Sequence, residues 1–207
     1  MSIPTNIYNE NLDEEGRKDE NVLGDSGGRT VFGIDEKSNP GDPIFALADA
    51  AEAAGRPIAT DPAVNARAYA YYNAEWIAWG MDEIPANCQH IFYRGCVNEG
   101  VPEMFKLLQQ ALVDLGQSVT VDGQGGPATF RAVVLVDPRA LYDKLWISRA
   151  KEYIAITTRK IAALGPPDSL TPDEVNRLRS HQVKFDLNLQ PRTLYRASSR
   201  LRHLHSR

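Results

Sequence analysis

A carboxylate-led, glycine-rich segment near the start of the chain carries the residues best suited to chemistry. Residues 25–34 read Asp-Ser-Gly-Gly-Arg-Thr-Val-Phe-Gly-Ile, and a Glu-Gly pair, Glu15 and Gly16, lies ten residues upstream of Asp25. Two carboxyl groups brought together by turns are what cleavage of a glycosidic bond needs, because one donates a proton while the other, or a water, attacks the sugar. The spacing therefore indicates a sugar-cleaving enzyme.

Glu15 has the setting expected of a general acid. It follows Tyr8 and Leu12 at helical spacing, which places its carboxyl in the last turn of a predicted helix and on the apolar face. The negative end of the helix dipole, the neighbouring Asp13 and Glu14, and partial burial all disfavour the charged carboxylate. We expect a raised pKa for Glu15, and a solvated acidic helix end is the alternative explanation of the same residues.

Asp25 and Thr30 are the candidate partners of Glu15. The glycines that follow Asp25 permit positive φ and leave backbone N–H groups available to hold its carboxylate ionised. That setting suits a base or an electrostatic stabiliser, and an ordinary Asx-turn aspartate is the alternative. Thr30 is either a residue of high β propensity or a hydroxyl that orients a water or a sugar.

Helices are predicted over most of the chain, around one small β region. Thr5 or Asn6 is expected to cap a first helix that ends at Gly16. A β-branched and aromatic run at residues 30–34, flanked by Gly and Asp, predicts a β-hairpin or loop region near residues 21–42. Proline and glycine signals bound further helices near 43–54, 61–79, 85–100, 102–116 and 137–164. With no βαβ alternation, the fold class is mainly α.

Composition excludes several classes of protein. The 207 residues are enough for one substantial domain, and no signal peptide or long apolar stretch is present, so we expect synthesis in a cytosol and no stable membrane insertion. Cys88 and Cys96 lie too far apart along one predicted helix for a disulfide, which indicates free buried thiols. Neither the cysteines nor the four histidines have metal-ligand spacing, so we expect no metal and no cofactor.

Charge is divided unevenly along the chain. Residues 1–100 contain 7 Lys and Arg against 17 Asp and Glu, whereas residues 101–207 contain 16 against 10. The last 17 residues are basic and contain no acidic residue. Such an end is either a solvated helix or a contact for an anionic polymer of the cell envelope. Because its only aromatic residue is Tyr195, we do not expect nucleic-acid binding.

The ordered motifs resemble those of glycoside hydrolase family 108, the phage and bacterial N-acetylmuramidases. That family typically shows Glu-Gly-Gly, Asp-Pro-Gly-Gly-x-Thr-x-x-Gly-Ile, a Tyr-x-x-x-Tyr-Trp helix, an Asn-x-Gly element and a C-terminal Asp-Gly-x-x-Gly-x-x-Thr. The corresponding segments here are 15–16, 25–34, 72–76, 97–100 and 122–129, followed by Arg149 and Tyr153. Two departures are Arg17, where the family has a second glycine, and Ser26, where it has proline.

The resemblance implies a lysozyme-like helical fold and a set of site residues. Glu15 would be the catalytic proton donor, and Asp25 and Thr30 would line the same cleft. The implied candidates for sugar contact are Asn98, Arg29 and Tyr72. The implied domains are a catalytic region over 1–115, a peptidoglycan-binding-like helical subdomain over 116–165, and a basic helical extension over 166–207.

The activity implied by the resemblance is hydrolysis of the β-1,4 bond between N-acetylmuramic acid and N-acetylglucosamine in peptidoglycan, by a monomer without a cofactor. A phage endolysin would accumulate in the host cytoplasm and act in the periplasm or cell wall after release. Three alternatives remain open: a secreted antibacterial muramidase, a non-catalytic wall-binding protein and a phage structural protein. An amidase or peptidase is disfavoured because no metal-ligand set or Cys-His pair is evident.

Overall fold

The protein is mainly helical and carries one small antiparallel sheet, which confirms the predicted fold class. A computed structural model describes residues 1–21 and 28–163. The helices in this part are α1 (Thr5–Glu15), α2 (Pro43–Ala53), α3 (Pro62–Ala78), α4 (Ala86–Glu99), α5 (Val101–Asp114), α6 (Pro127–Val133) and α7 (Pro138–Ala163), with 3₁₀ turns at Ile58–Thr60 and Met81–Glu83. The strands are β1 (Asp19–Asn21), β2 (Arg29–Val31) and β3 (Ile34–Asp35), within the predicted hairpin region or next to it.

Local capping residues explain several of the helix boundaries. The Asp42 carboxylate accepts a hydrogen bond from the backbone of Ile44 at 2.9 Å, at the start of α2. Asp61 caps α3 in the same way, and Gly16 ends α1 with a φ of 88°. The predicted cap of the first helix is wrong, because α1 begins directly after Pro4 and has no side-chain cap.

The described residues form two compact units, one over Met1–Asp82 and one from Glu83 onward. In the first unit, the three strands pair in the order β1-β2-β3, with Asp19 opposite Val31 and Val31 opposite Ile34. The apolar side chains of α1, the hairpin, α2 and α3 form its core. Those with less than 2 % of their surface exposed include Trp76, Phe32, Leu12, Ile34 and Ile44.

In the second unit, α4, α5 and α7 pack against one another, and α6 packs on α5. Gly95 allows α4 to approach α5 closely, because a Cβ at that position would lie 2.2 Å from the sulfur of Met104. The Phe105 ring contacts the rings of Phe92 and Phe130 edge-on. Cys88 and Cys96 are free and buried, as predicted.

Some predictions lie beyond what the structure describes. Asp25 and the whole of the predicted basic extension, 166–207, fall outside the described residues, so the contact of that extension with an anionic polymer stays a prediction. The division at residue 115 also stays a prediction. Within the described residues, none of the helices combines the length and apolar character required to cross a membrane.

Candidate functional site

Glu15 is the last residue of α1, as the sequence predicts. Its side chain is half-buried, and the chain turns away at Gly16, whose N–H donates to the carbonyl of Leu12 at 2.9 Å. A carboxyl group at this position feels the negative end of the helix dipole, which disfavours its charge. The expected rise in the pKa of Glu15 stays a prediction.

The turn between β2 and β3 packs directly against Glu15. Its two residues, Phe32 and Gly33, have φ values of 53° and 78°, the left-handed pair that a two-residue hairpin turn requires. A Cβ on Gly33 would lie 2.8 Å from the Glu15 Cβ and 2.9 Å from the Tyr72 hydroxyl oxygen. Only glycine fits here, because both the backbone angle and the available space exclude a side chain.

Tyr72 joins the hairpin turn to α3. Its hydroxyl donates a hydrogen bond to the carbonyl of Phe32 at 2.7 Å, and its side chain is buried. The pKa of Tyr72 is raised, first by burial and then by the negative charges of Glu15 and Glu75, while a hydrogen bond from Asn11 opposes the rise. The structure therefore places Tyr72 beside Glu15, and its predicted contact with sugar stays a prediction.

Glu75 is a second carboxyl group in this region, and the sequence analysis missed it. It lies one turn after Tyr71 and Tyr72 on α3, and it shares a hydrogen bond with the Tyr71 side chain. Burial raises the pKa of Glu75 to about 7. A signal was available in the sequence, because Glu75 falls at helical spacing among the aromatic residues of α3.

Arg29 and Thr30 lie on β2. The Arg29 guanidinium forms hydrogen-bonded ion pairs with Asp19, at 2.5 to 3.1 Å, and with Asp49 at 2.6 Å. These bonds raise the pKa of Arg29, and they tie β2 to β1 and α2. Thr30 alternates with the buried Val31, so it points to the other side of the sheet and is half-buried. Substrate contact by Arg29 and the role of Thr30 stay predictions.

Among the residues that the structure describes, one group of acidic residues beside Arg29 has the spacing to hold a cation. Asp19, Asp49 and Glu52 can place carboxylate oxygens within 4.8 Å of one another. Arg29 pairs with two of these three residues, so its guanidinium supplies the positive charge. Arg29, Asp19 and Asp49 therefore form an ion-pair cluster that ties β2 to β1 and to α2.

Asn98 lies in the second unit, exposed in the last turn of α4. The next residue, Glu99, pairs with Arg149 of α7 at 2.7 Å, and both side chains are almost fully buried. Arg149 also donates to the carbonyl of Ile91 at 3.3 Å. The Asn-x-Gly element is thus fixed to α7 by a buried ion pair, and sugar contact by Asn98 stays a prediction.

The glycine-rich segment after α5 is organised by one buried amide, that of Gln109. Its nitrogen donates to the Asp122 carboxylate at 2.8 Å, to the Gln124 carbonyl at 3.0 Å and to the Thr129 hydroxyl at 3.2 Å. Its oxygen accepts from the N–H groups of Asp122 and Gly123. Hydrogen bonds from Gln124 and Gln109 hold the pKa of the Asp122 carboxyl below its usual range.

The glycines of this segment have a packing reason. A Cβ on Gly125 would lie 2.2 Å from the Phe105 ring, and one on Gly123 would lie 2.8 Å from the Pro102 carbonyl. Gly123 also has a φ of 77°. The Asp-Gly-x-Gly-Gly pattern therefore lets the loop lie flat on α5, and Pro127 begins α6.

Comparison with known protein families finds a match for the region that contains this loop. Residues 103–185 match the model of a family described as "Predicted Peptidoglycan domain". The match supports a peptidoglycan-associated protein. No curated protein matches the chain. One similar solved structure is that of Brucella abortus SagA, with 18% identity, a TM-score of 0.48, and coverage of 90% of this chain and 95% of that chain.

Proposed function

We propose that the protein is a peptidoglycan hydrolase of the N-acetylmuramidase type, with Glu15 as its general acid. The observation that carries the proposal is the setting of Glu15: a half-buried residue at the C-terminal end of α1, packed against the Gly33 turn, which the Tyr72 hydroxyl also contacts. Partial burial and the helix dipole both favour the protonated form that donates to a leaving oxygen. The peptidoglycan match over residues 103–185 supports the choice of substrate.

In the proposed reaction, Glu15 protonates the glycosidic oxygen between N-acetylmuramic acid and N-acetylglucosamine as the bond to the anomeric carbon breaks. A water or a carboxylate then attacks the oxocarbenium-like carbon from the opposite side. Asp25 is the proposed carboxylate partner, and the Thr30 hydroxyl is proposed to orient the water. No cofactor takes part in these steps.

The second unit has a separate role in this proposal. Its matched region includes α5, the Gln109-organised loop, α6 and α7, and we assign to it the retention of peptidoglycan. The proposed place of action is the bacterial cell wall, reached either from the cytoplasm of a host cell after phage infection or by secretion. Both routes lead to the same substrate.

A turbidity assay on purified peptidoglycan tests the proposal. We expect Glu15→Gln to lower the rate of clearing by about 10²- to 10⁴-fold, the range for loss of a general acid. Asp13→Asn is the matched control, because Asp13 is exposed on the same helix. Clearing by Glu15→Gln at the wild-type rate contradicts the assignment of the acid. No clearing by the wild type, combined with retained binding to peptidoglycan, favours a binding protein instead.

A further inference from the structure

One face of the small sheet presents a threonine hydroxyl between two carboxylates. In the observed register, Thr30 lies directly opposite Glu20 on β1 and opposite Asp35 on β3. Directly opposed side chains share a face of the sheet, with Cβ atoms about 4.5–5.5 Å apart. The buried Val31 and Ile34 are paired on the other face. Glu20, Thr30 and Asp35 therefore form a row on the face opposite these buried side chains.

The two carboxylates of this row are engaged differently. The two oxygens of Asp35 accept hydrogen bonds from the backbone N–H groups of Lys37 at 3.0 Å and Ser38 at 3.1 Å, so Asp35 closes a turn. Glu20 forms an ion pair with Lys18, two residues earlier in the chain, and its side chain is partly exposed. Glu20 therefore carries its charge at the surface of the sheet, whereas the oxygens of Asp35 are directed to the turn.

The Thr30 hydroxyl is available to a ligand. Thr30 is half-buried in the central strand, and no group in the described part of the chain forms a hydrogen bond with its hydroxyl. A threonine hydroxyl accepts as well as donates, and a carboxylate only accepts. A water placed between the two side chains can therefore donate one hydrogen to Glu20 and the other to Thr30, which leaves its oxygen lone pairs for a substrate.

The hairpin that carries this pair also contacts the proposed acid. Thr30 precedes Gly33 by three residues, at most about 10 Å of strand at about 3.3 Å per residue. A Cβ on Gly33 would lie 2.8 Å from the Glu15 Cβ. Glycosidases that invert their product separate the acid from the base by about 6.5–9.5 Å, which leaves room for a water. One short hairpin thus connects Glu15 to a carboxylate and a hydroxyl suited to holding that water.

We propose that Glu20 is the general base of the reaction and that Thr30 holds the attacking water with it. This inference rests on the proposed function. Glu15 gives its proton to the glycosidic oxygen as the bond from that oxygen to the anomeric carbon breaks. The water oxygen forms the new bond to this carbon, and the water proton passes to the Glu20 carboxylate. Asp25 then stabilises the positive charge of the oxocarbenium-like carbon, the second role that its sequence setting suits.

Removal of the Glu20 charge tests the inference. On soluble peptidoglycan fragments, Glu20→Gln should lower kcat by about 10²- to 10⁴-fold, the range for loss of a general base. Sodium azide should restore turnover and yield an α-glycosyl azide, because the azide ion attacks the carbon without a proton to lose. Lys18→Met is the matched control, since it removes the ion pair and leaves the base, and it should keep the wild-type rate.

The opposite results overturn the inference. Turnover by Glu20→Gln at the wild-type rate shows that Glu20 is not the base, and a loss that azide does not restore shows a structural role. Restoration by azide in Asp25→Asn but not in Glu20→Gln assigns the base to Asp25. In these cases, release of muramic acid reducing ends by the wild type leaves the proposed function in place. No release by the wild type overturns the proposed function and the inference together.

Discussion

Glu15 owes its setting to two residues that are distant from it in the sequence, Gly33 and Tyr72. Its place in the last turn of a helix follows from local signals, the i, i+4, i+7 spacing and the glycine that follows, and it was predictable for that reason. The contacts of Glu15 could not be predicted, because they depend on how the hairpin packs on α1 and α3. Glu75 could have been found from its helical spacing among the aromatic residues of α3, whereas Tyr72 was chosen because it belongs to a motif of the family resemblance.

Glu75 makes a prediction about pH at the scale of a single residue. Burial raises its pKa to about 7 from an ordinary value near 4.5. The folded state therefore binds the proton more tightly than the unfolded state, and stability decreases as the pH rises from about 4.5 through 7. We expect the stability of Glu75→Gln relative to the wild type to be greater at pH 8 than at pH 5, because only the wild type carries the buried charge at pH 8.

Urea unfolding at the two pH values measures this difference. Glu52→Gln is a suitable control, because Glu52 is exposed on α2. If the stability difference between Glu75→Gln and the wild type is the same at pH 5 and pH 8, the buried carboxyl does not titrate as described.

At the scale of elements, the helices were predictable because their ends are marked locally. Proline or aspartate stands at the start of α2, α3 and α7, and glycine at the end of α1 and α4, so each boundary falls within a few residues of its prediction. The pairing of β1 with β2 is different, because it joins segments on either side of a loop. The fixing of the Asp122 loop by Gln109 is likewise a contact between distant residues.

The hairpin turn provides a test of packing. We expect Gly33→Ala to lower the free energy of unfolding by about 1–3 kcal/mol, because the new Cβ meets both a strained backbone angle and the side chains of Glu15 and Tyr72. Gly41→Ala is a matched control, since Gly41 has a similar φ of 83° with no atom within 4 Å of the added Cβ. If chemical denaturation shows the same loss of unfolding free energy in Gly33→Ala and Gly41→Ala, the contacts of the added Cβ with Glu15 and Tyr72 do not contribute to the loss.

The tie between α4 and α7 provides a second test. Arg149 and Glu99 are paired at 2.7 Å with almost no exposure, so removal of one partner leaves a buried charge uncompensated. Arg149→Ala should lower the free energy of unfolding by about 3–5 kcal/mol. Lys151→Ala, at an exposed position of the same helix, should change it little. A loss below about 1 kcal/mol in Arg149→Ala contradicts the structural role of the pair.

At the scale of the whole molecule, we assign hydrolysis of peptidoglycan and binding of peptidoglycan to different parts of the chain. The proposed acid lies in the first compact unit, and the peptidoglycan match falls in the second. The motif order suggested this division, but the sequence does not show which residues bring substrate to Glu15, because that depends on side-chain packing. We therefore expect a substitution of Glu15 alone to abolish hydrolysis of peptidoglycan while binding is retained.

The products released from purified peptidoglycan test the central claim most directly. Mass spectrometry of fragments made by the wild type should show new reducing ends on N-acetylmuramic acid. Glu15→Gln should bind the same peptidoglycan while releasing about 10²- to 10⁴-fold less of these fragments. New amino or carboxyl ends on the peptide stems, or muramic acid reducing ends released equally by Glu15→Gln, would contradict a muramidase that uses Glu15 as its acid.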